Sequence, residues 1–326
     1  MQKIKKIGVL TSGGDAPGMN ACVRAVVRTG IYYGLDVTGI LSGYEGLIAG
    51  QFRAMESHSV SNIIQNGGTI LKTARSKEFM TKEGRQKAYE NLKKDNFDAL
   101  ITIGGNGTFA GACEFSNEYD FPVIGIPGTI DNDLYGTDFT IGFDTALNTV
   151  VSAIDKIRDT ADSHNRLFFI EVMGRDAGFL ALRSGIAGGA EDILVPETET
   201  HIEELIEILE KGFRKNKRSG IIVVAEGDSS GGAFEIARKV SEKYDHYETR
   251  VTILGHVQRG GSPSCFDRFL AGRLGYESVK ALLNGQRGVM AGLISTKVEF
   301  TPLVKSVKHH KDINREFLEM ARILAM

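Results

Sequence analysis

The stretch Thr129-Ile130-Asp131-Asn132-Asp133 places two carboxylates two residues apart in a segment rich in turn formers. One of two carboxylates so spaced can take a proton while the other faces a metal ion. The same spacing also suits an Asx turn, in which both bond only to local backbone. Several glycine-rich stretches accompany it: Ser12-Gly13-Gly14-Asp15-Ala16-Pro17-Gly18, Gly104-Gly105-Asn106-Gly107-Thr108, Pro127-Gly128, Met173-Gly174-Arg175-Asp176-Ala177-Gly178 and His256-Val257-Gln258-Arg259-Gly260-Gly261-Ser262-Pro263. Glycine pairs that run into a helix let backbone N–H groups approach phosphate oxygens, and the helix N-terminus adds a favourable field. Arg75, Arg166, Arg175, Arg250 and Arg259 each lie at or near an expected strand end or a glycine loop. A guanidinium binds phosphate bidentately and keeps its charge, so the set suits catalysis on an anionic sugar or nucleotide. The Walker pattern is absent, because no GKS or GKT occurs; after Gly105 and Gly107 the next glycine, Gly111, comes one residue too late for a dinucleotide fingerprint.

Short apolar runs must present these loops. Strands are expected at 6–11, 37–41, 99–103, 123–126, 167–172, 193–195, 221–225 and 252–254. Helices are expected between them at 19–33, 83–94, 109–117, 145–160, 202–215, 234–243 and 266–283, with a capping box at Thr200…Glu203. This alternation gives an α/β fold of doubly wound lobes with largely parallel sheets, whose ligands bind at the carboxyl ends of strands. At 326 residues the chain is long enough for two lobes, with a boundary expected near Thr140–Asp144. The balance of 39 Lys+Arg against 41 Asp+Glu excludes a nucleic-acid binder that works through bulk positive charge. The basic N-terminus is followed by too short an apolar run for a secretory signal, and no stretch has the length of a membrane span. Three widely spaced cysteines, Cys22, Cys113 and Cys265, fit reduced thiols, so a cytoplasmic protein is expected. The basic run Arg214-Lys215-Asn216-Lys217-Arg218 has a simple reading as compensation of a helix C-terminus.

In their order, Ser12–Gly18, Gly104–Thr108, Pro127–Asp133, Met173–Arg175 and His256–Pro263 resemble the ATP-dependent 6-phosphofructokinases of the bacterial type, and the resemblance runs from Lys3 to the C-terminal helix. The resemblance implies transfer of the γ-phosphoryl of ATP, with Mg²⁺, to the 1-hydroxyl of fructose 6-phosphate. It implies an ATP-binding lobe of residues 1–141 plus 257–305 and a sugar-phosphate lobe of 142–256 plus 306–326. Asp131 matches the general base, with Thr129 beside it and Arg175 stabilising the transferred group. Gly14, Arg75, Ser76, Gly105, Asn106, Gly107 and Thr108 match ATP contacts, and Asn106 and Asp133 match positions near the metal. Thr129, Ile130, Asp131, Met173, Gly174, Arg175, Glu226, His256 and Arg259 match contacts to the sugar phosphate. Arg166 and Arg250 match arginines that reach into a neighbouring subunit's site, which implies a homotetramer. Arg24, Arg28, Ser57, Arg158, Gly189, Glu191, Lys215, Lys217, Arg218 and Ser219 match an effector site for ADP or phosphoenolpyruvate.

Three positions depart from the pattern of that family. Asn106 stands where an aspartate is usual, Ser57 where the effector site commonly has an arginine, and Ser76 where an aromatic often follows the Arg75 position. Two other readings compete. One is a pyrophosphate-dependent phosphofructokinase, against which the glycines at 107 and 128 speak, because that type carries larger side chains there. The other is a non-catalytic nucleotide-sensing homologue, against which the presence of Asp131, Asp133 and Arg175 speaks.

Overall fold

A computed structural model describes residues 4–217 and 219–325, and the chain divides into two compact units. The first holds residues up to Ile130, then Leu134–Thr145 and Arg259–Lys311; the second holds Asp131–Asp133, Ala146–Gln258 and the residues from Asp312 onward. Besides the short excursion at Asp131–Asp133, the breaks fall after 145, 258 and 311, where the resemblance implies 141, 256 and 305. The first turn of the long helix stays with the first unit because Asp267 bonds the N–H groups of Gly142 and Thr145.

In the first unit β1 (Lys6–Thr11), α1 (Met19–Tyr32), β2 (Asp36–Ile40), α2 (Gly43–Ile48), β3 (Phe52–Met55), α3 (Lys82–Lys94), β4 (Ala99–Gly104), α4 (Asn106–Tyr119) and β5 (Val123–Pro127) follow one another. Helix α5 (Phe143–His164) leads to the second unit, which contains β6 (Arg166–Val172), α6 (Phe179–Ala187), β7 (Asp192–Leu194), α7 (Ile202–Arg214), β8 (Gly220–Ala225), α8 (Ala233–Lys243) and β9 (Glu248–Ile253). The chain then supplies α9 (Cys265–Leu283), β10 (Val289–Ile294), β11 (Lys297–Pro302) and α10 (Leu303–Lys308) to the first unit, and α11 (Arg315–Leu324) to the second.

The first sheet has the order β11-β10-β5-β4-β1-β2-β3. Its interior pairs are parallel, and β10–β11 and β2–β3 close the two edges antiparallel. The central strands β1, β4 and β5 are apolar runs buried on both faces, as a covered parallel sheet requires. From β1 the chain winds outward through β2, then returns to build β4 and β5 on the other side. The reversal makes a topological switch point between β1 and β4, where such sheets bind ligands. The second sheet, β7-β8-β6-β9, is parallel throughout. In the first core, the Tyr44 ring stacks on Phe79 at 3.9 Å while its hydroxyl donates to Thr108 O at 2.6 Å, which ties α2 to the start of α4. Amphipathic α7 buries Ile202, Leu205 and Leu209 against the second sheet, with acids in its first turn and bases in its last.

Local structure differs from the sequence expectation in several respects, among them β9, which starts at Glu248 instead of 252, and α5, which runs on to His164. Helix α4 begins at Asn106 instead of 109, because extended Gly105 is its N-cap, so Asn106, Gly107 and Thr108 form its first turn. The expected capping box at Thr200 is not formed. His201 is the N-cap, and the Thr200 hydroxyl donates instead to buried Asp228 at 2.7 Å. Helix α7 ends at Arg214, where Lys217 N–H closes the last turn on Gly212 O at 3.0 Å while its side chain pairs with Glu191. Strands β3, β10 and β11 and helices α2, α6 and α10 are additional elements. Among the described residues no helix is long and apolar enough to cross a membrane.

Candidate active site

In the first unit the loops after β1, β4 and β5 are stitched together at the switch point. Ser12 N–H donates to Ile103 O (3.0 Å), the Thr108 hydroxyl to Ser12 O (2.9 Å) and Gly128 N–H to Gly104 O (3.0 Å). The Thr73 hydroxyl donates to Gly13 O (2.8 Å), which holds the segment before Arg75 against the β1 loop. Gly105 lies against Thr129, whose carbonyl accepts from the Thr140 hydroxyl (2.6 Å). The paired glycines at the start of α4 have different reasons to be glycine. A Cβ at Gly104 would stand 2.5 Å from Ser12 O, so packing forbids one, whereas a Cβ at Gly107 would meet nothing within 4 Å. Gly107 thus leaves room beside the N–H groups of a helix N-terminus, whose donors have no partner within the helix.

Arg259 lies against Gly14 and donates to Asp15, at 2.5 Å to the carboxylate and 3.3 Å to the carbonyl. Arg75 is exposed, while Ser76 uses its hydroxyl to accept Phe79 N–H at 3.1 Å. Ser76 therefore shapes the short turn Glu78–Met80.

In the second unit Asp131 is buried, and exposed Arg175 approaches it, Nε to Oδ2, at 3.6 Å. Asn132, at φ 55°, makes the left-handed step between Asp131 and Asp133 that asparagine tolerates. Arg175 is itself left-handed at φ 53°, in a loop held by three side chains from other segments. Glu226 Oε1 accepts Arg175 N–H (2.7 Å) and Gly174 N–H (3.3 Å), and Glu197 Oε1 accepts Gly178 N–H (2.8 Å). Fully buried Gln258 accepts Met173 N–H (3.2 Å) while donating to Gly255 O (2.9 Å). Burial raises the Glu197 carboxyl above its ordinary range, partly offset by the Gly178 N–H. Glu197 and Gln258 are supporting residues that the sequence reading did not single out. Gln258 lies within His256–Pro263, but nothing in the spacing marks Glu197.

The sites of Met173, Glu226 and His256 follow the carboxyl ends of adjacent strands β6, β8 and β9, and His256 is exposed. At the opposite end of the same strands, Arg166 and Arg250 share one carboxylate. Arg166 Nε donates to Glu248 at 2.7 Å, and Arg250 pairs with the other oxygen of that residue. Among the described residues no three His, Cys, Asp or Glu side chains gather as a metal cluster.

The sequence matches the phosphofructokinase family over residues 6–282. The chain belongs to the phosphofructokinase family. Over its full length it is 56% identical to the full length of a Bacteroides thetaiotaomicron protein named ATP-dependent 6-phosphofructokinase 2. Over 99% of its length it is 55% identical to the whole of ATP-dependent 6-phosphofructokinase 1 of Thermus thermophilus. Among solved phosphofructokinases, that of Saccharomyces cerevisiae superposes with a TM-score of 0.89 at 41% identity, over 93% of this chain and 45% of that one.

The residues that resemblance to other phosphofructokinases implies for an effector are distributed over both units. In the first, Arg24 and Arg28 lie one turn apart on α1, which packs on the short turn Ser57–Val60. Burial, and then the charge of Arg28, lower the Arg24 pKa, and Arg28 Nε is buried without a hydrogen-bond partner. In the second unit Arg158 donates to Gly188 O (2.5 Å) and Gly189 O (2.7 Å), and Lys217 to Glu191 (2.8 Å) and Ala325 O (2.9 Å). Ser219 bonds to Asp162, Lys215 is the C-cap of α7, and Arg218 lies outside the described residues.

Proposed function

We propose that this protein transfers the γ-phosphoryl group of ATP to the 1-hydroxyl of fructose 6-phosphate, giving fructose 1,6-bisphosphate and ADP, a committed step of glycolysis. The observation that carries the proposal is the pairing of buried Asp131 with Arg175, in a chain that belongs to the phosphofructokinase family over almost its whole length. Phosphoryl transfer asks little covalent help of a protein; it needs positioning and cationic charge near the equatorial oxygens. In this reading Asp131 takes the proton of the acceptor hydroxyl, and Arg175 stabilises the charge on the moving group. Thr129 and Ile130 shape the approach to Asp131.

The first unit takes the nucleotide, through Gly14, Arg75 and the N-terminus of α4, where the N-cap Gly105 and the first-turn residues Asn106, Gly107 and Thr108 present backbone N–H groups to phosphate. The second takes the sugar phosphate, through Met173, Gly174, Glu226 and His256. Arg259 would contact phosphate by exchanging its bond to Asp15. The open space at Gly107 supports ATP over pyrophosphate as donor.

The donor chemistry fits a magnesium ion that arrives with the nucleotide. Asp133 or the Asn106 amide would offer it a hard oxygen, with phosphates and water supplying the other ligands. When bound, Mg²⁺ neutralises charge on the phosphate oxygens. We further propose a cytoplasmic homotetramer in which Arg166 and Arg250 complete the site of a neighbouring copy. ADP or phosphoenolpyruvate would bind through Arg24, Arg28, Arg158 and Lys217. A coupled assay with ATP and pyrophosphate side by side tests the central reading. Turnover of fructose 6-phosphate with ATP alone is expected; turnover with pyrophosphate alone, or with neither, overturns it.

A further inference from the structure

Asp267, in the first turn of α9, is fully buried and takes no part in the chemistry proposed above. Its Oδ1 accepts the N–H of Gly142 (2.9 Å), and its Oδ2 accepts both the N–H (2.8 Å) and the hydroxyl (2.5 Å) of Thr145. These donors belong to the start of α5, and α9 receives bonds in return. Ser264, its N-cap, donates its N–H to Thr145 Oγ1 (2.9 Å) and its hydroxyl to Asp144 (2.5 Å), while accepting Asp267 N–H (3.2 Å). Two helix N-termini more than a hundred residues apart thus cap one another, and a carboxylate faces the positive end of α5.

Three of the loops described above converge on this knot. Residues 140–142 run beside Pro127–Thr129, with Ile141 N–H on Pro127 O (2.9 Å) and the Thr140 hydroxyl on Thr129 O (2.6 Å). The Ser12–Gly18 loop packs so closely that a Cβ on Gly142 would stand 2.6 Å from Ala16 Cβ, and one on Gly18 3.6 Å from Asp267 Cβ. The Arg259–Pro263 loop leads directly into Ser264, and its Pro263 carbonyl accepts Arg268 Nε (2.7 Å).

We infer that Asp267 is a positioning residue: by joining the N-termini of α5 and α9, it sets the Ser12–Gly18, Pro127–Thr129 and Arg259–Pro263 loops in one register. Its consequence for turnover rests on the kinase reading above; the register itself does not.

The test compares Asp267→Asn, Thr145→Val and Thr145→Ser with the unaltered full chain. Turnover is measured with ATP and fructose 6-phosphate well below each melting point, and amide hydrogen exchange across the three loops. For Asp267→Asn and Thr145→Val the expectation is a kcat at least ~10-fold lower in fully folded protein, because small displacements of positioned groups are costly. Exchange is expected to rise in all three loops in those two variants. Thr145→Ser keeps the hydroxyl and should restore both readouts. A merely structural role would lower the melting point alone. Values of kcat for Asp267→Asn and Thr145→Val within about two-fold of the unaltered chain overturn the inference, as does faster exchange confined to the first turns of α5 and α9. If Asp267→Asn does not fold, the Thr145 pair decides. If the unaltered chain does not turn over, the kinase reading falls, and the spread of the exchange alone decides the inference.

Discussion

A buried carboxylate 3.6 Å from a guanidinium that is itself exposed is poorly placed to stabilise the fold, because water screens the outer partner. For Asp131→Ser we expect little change in stability or in affinity for either substrate, and a kcat at least ~10²-fold lower, the scale of a lost general base. Steady-state kinetics at saturating ATP and sugar phosphate check this; an unchanged kcat would remove Asp131 from the chemistry. Gly107 allows the converse experiment. Its missing side chain answers to no neighbour in the chain, and an acid in the first turn of α4 favours the helix. Gly107→Asp should therefore leave the melting point unchanged or raise it, while the KM for ATP rises at least ~10-fold, through lost space and like charge beside phosphate. A melting point that falls with an unaltered KM would mean that the glycine serves folding.

At the scale of elements, Asp267 is held between opposing influences. Burial pushes its carboxyl up to about 6, against the downward pull of Thr145 and Gly142. A folded-state value above the ordinary one contributes stability that is complete below about pH 4 and is lost as pH rises through about 6. Asp267→Asn removes that dependence. The difference in unfolding free energy between variant and unaltered chain should shift toward the variant by up to about 3 kcal/mol between pH 4 and pH 7. Denaturant melts at the two pH values check the shift, and any constant cost of the substitution cancels. A difference independent of pH would show that Asp267 titrates normally. Elements differed in how clearly the sequence announced them. Strands β1, β4, β5, β6 and β8 were legible because continuous β-branched runs ended at glycine or polar residues. Helix α6 was not, because Phe179, Leu180, Ala181, Leu182, Ser184 and Gly185 are all buried, and a helix covered nearly all round has no polar face to give a period. In β3, Arg53 and Ala54 are exposed within a four-residue strand, too short to show alternation. The stretch Thr129–Asp133 stood out in the sequence through its two carboxylates, and the loops beside it through their glycines. The residues that hold the neighbouring loops, Glu197 and Gln258 at 173–178 and Asp267 at 142–145, did not stand out, because each acts on backbone N–H groups distant in sequence.

At the scale of the whole molecule, Arg166 and Arg250 lie on neighbouring strands with Glu248 between their charges. If they complete a neighbour's site, then Asp131→Ser and Arg250→Ser chains, each inactive alone, should regain activity when refolded together, since some sites draw intact parts from both. Mixed oligomers without any recovery would count against a shared site.

The division of the chain also bears on how the protein is made. The first unit needs α9, β10 and β11, which the ribosome delivers only after the whole span from Ala146 to Gln258, and the last helix of the second unit comes later still. Until β10 emerges, β5 is a bare sheet edge of Val123, Ile124 and Ile126, able to pair with another nascent chain. Slow synthesis would lengthen that exposure, so the yield of native protein should depend on translation speed and on chaperones that shield an open strand.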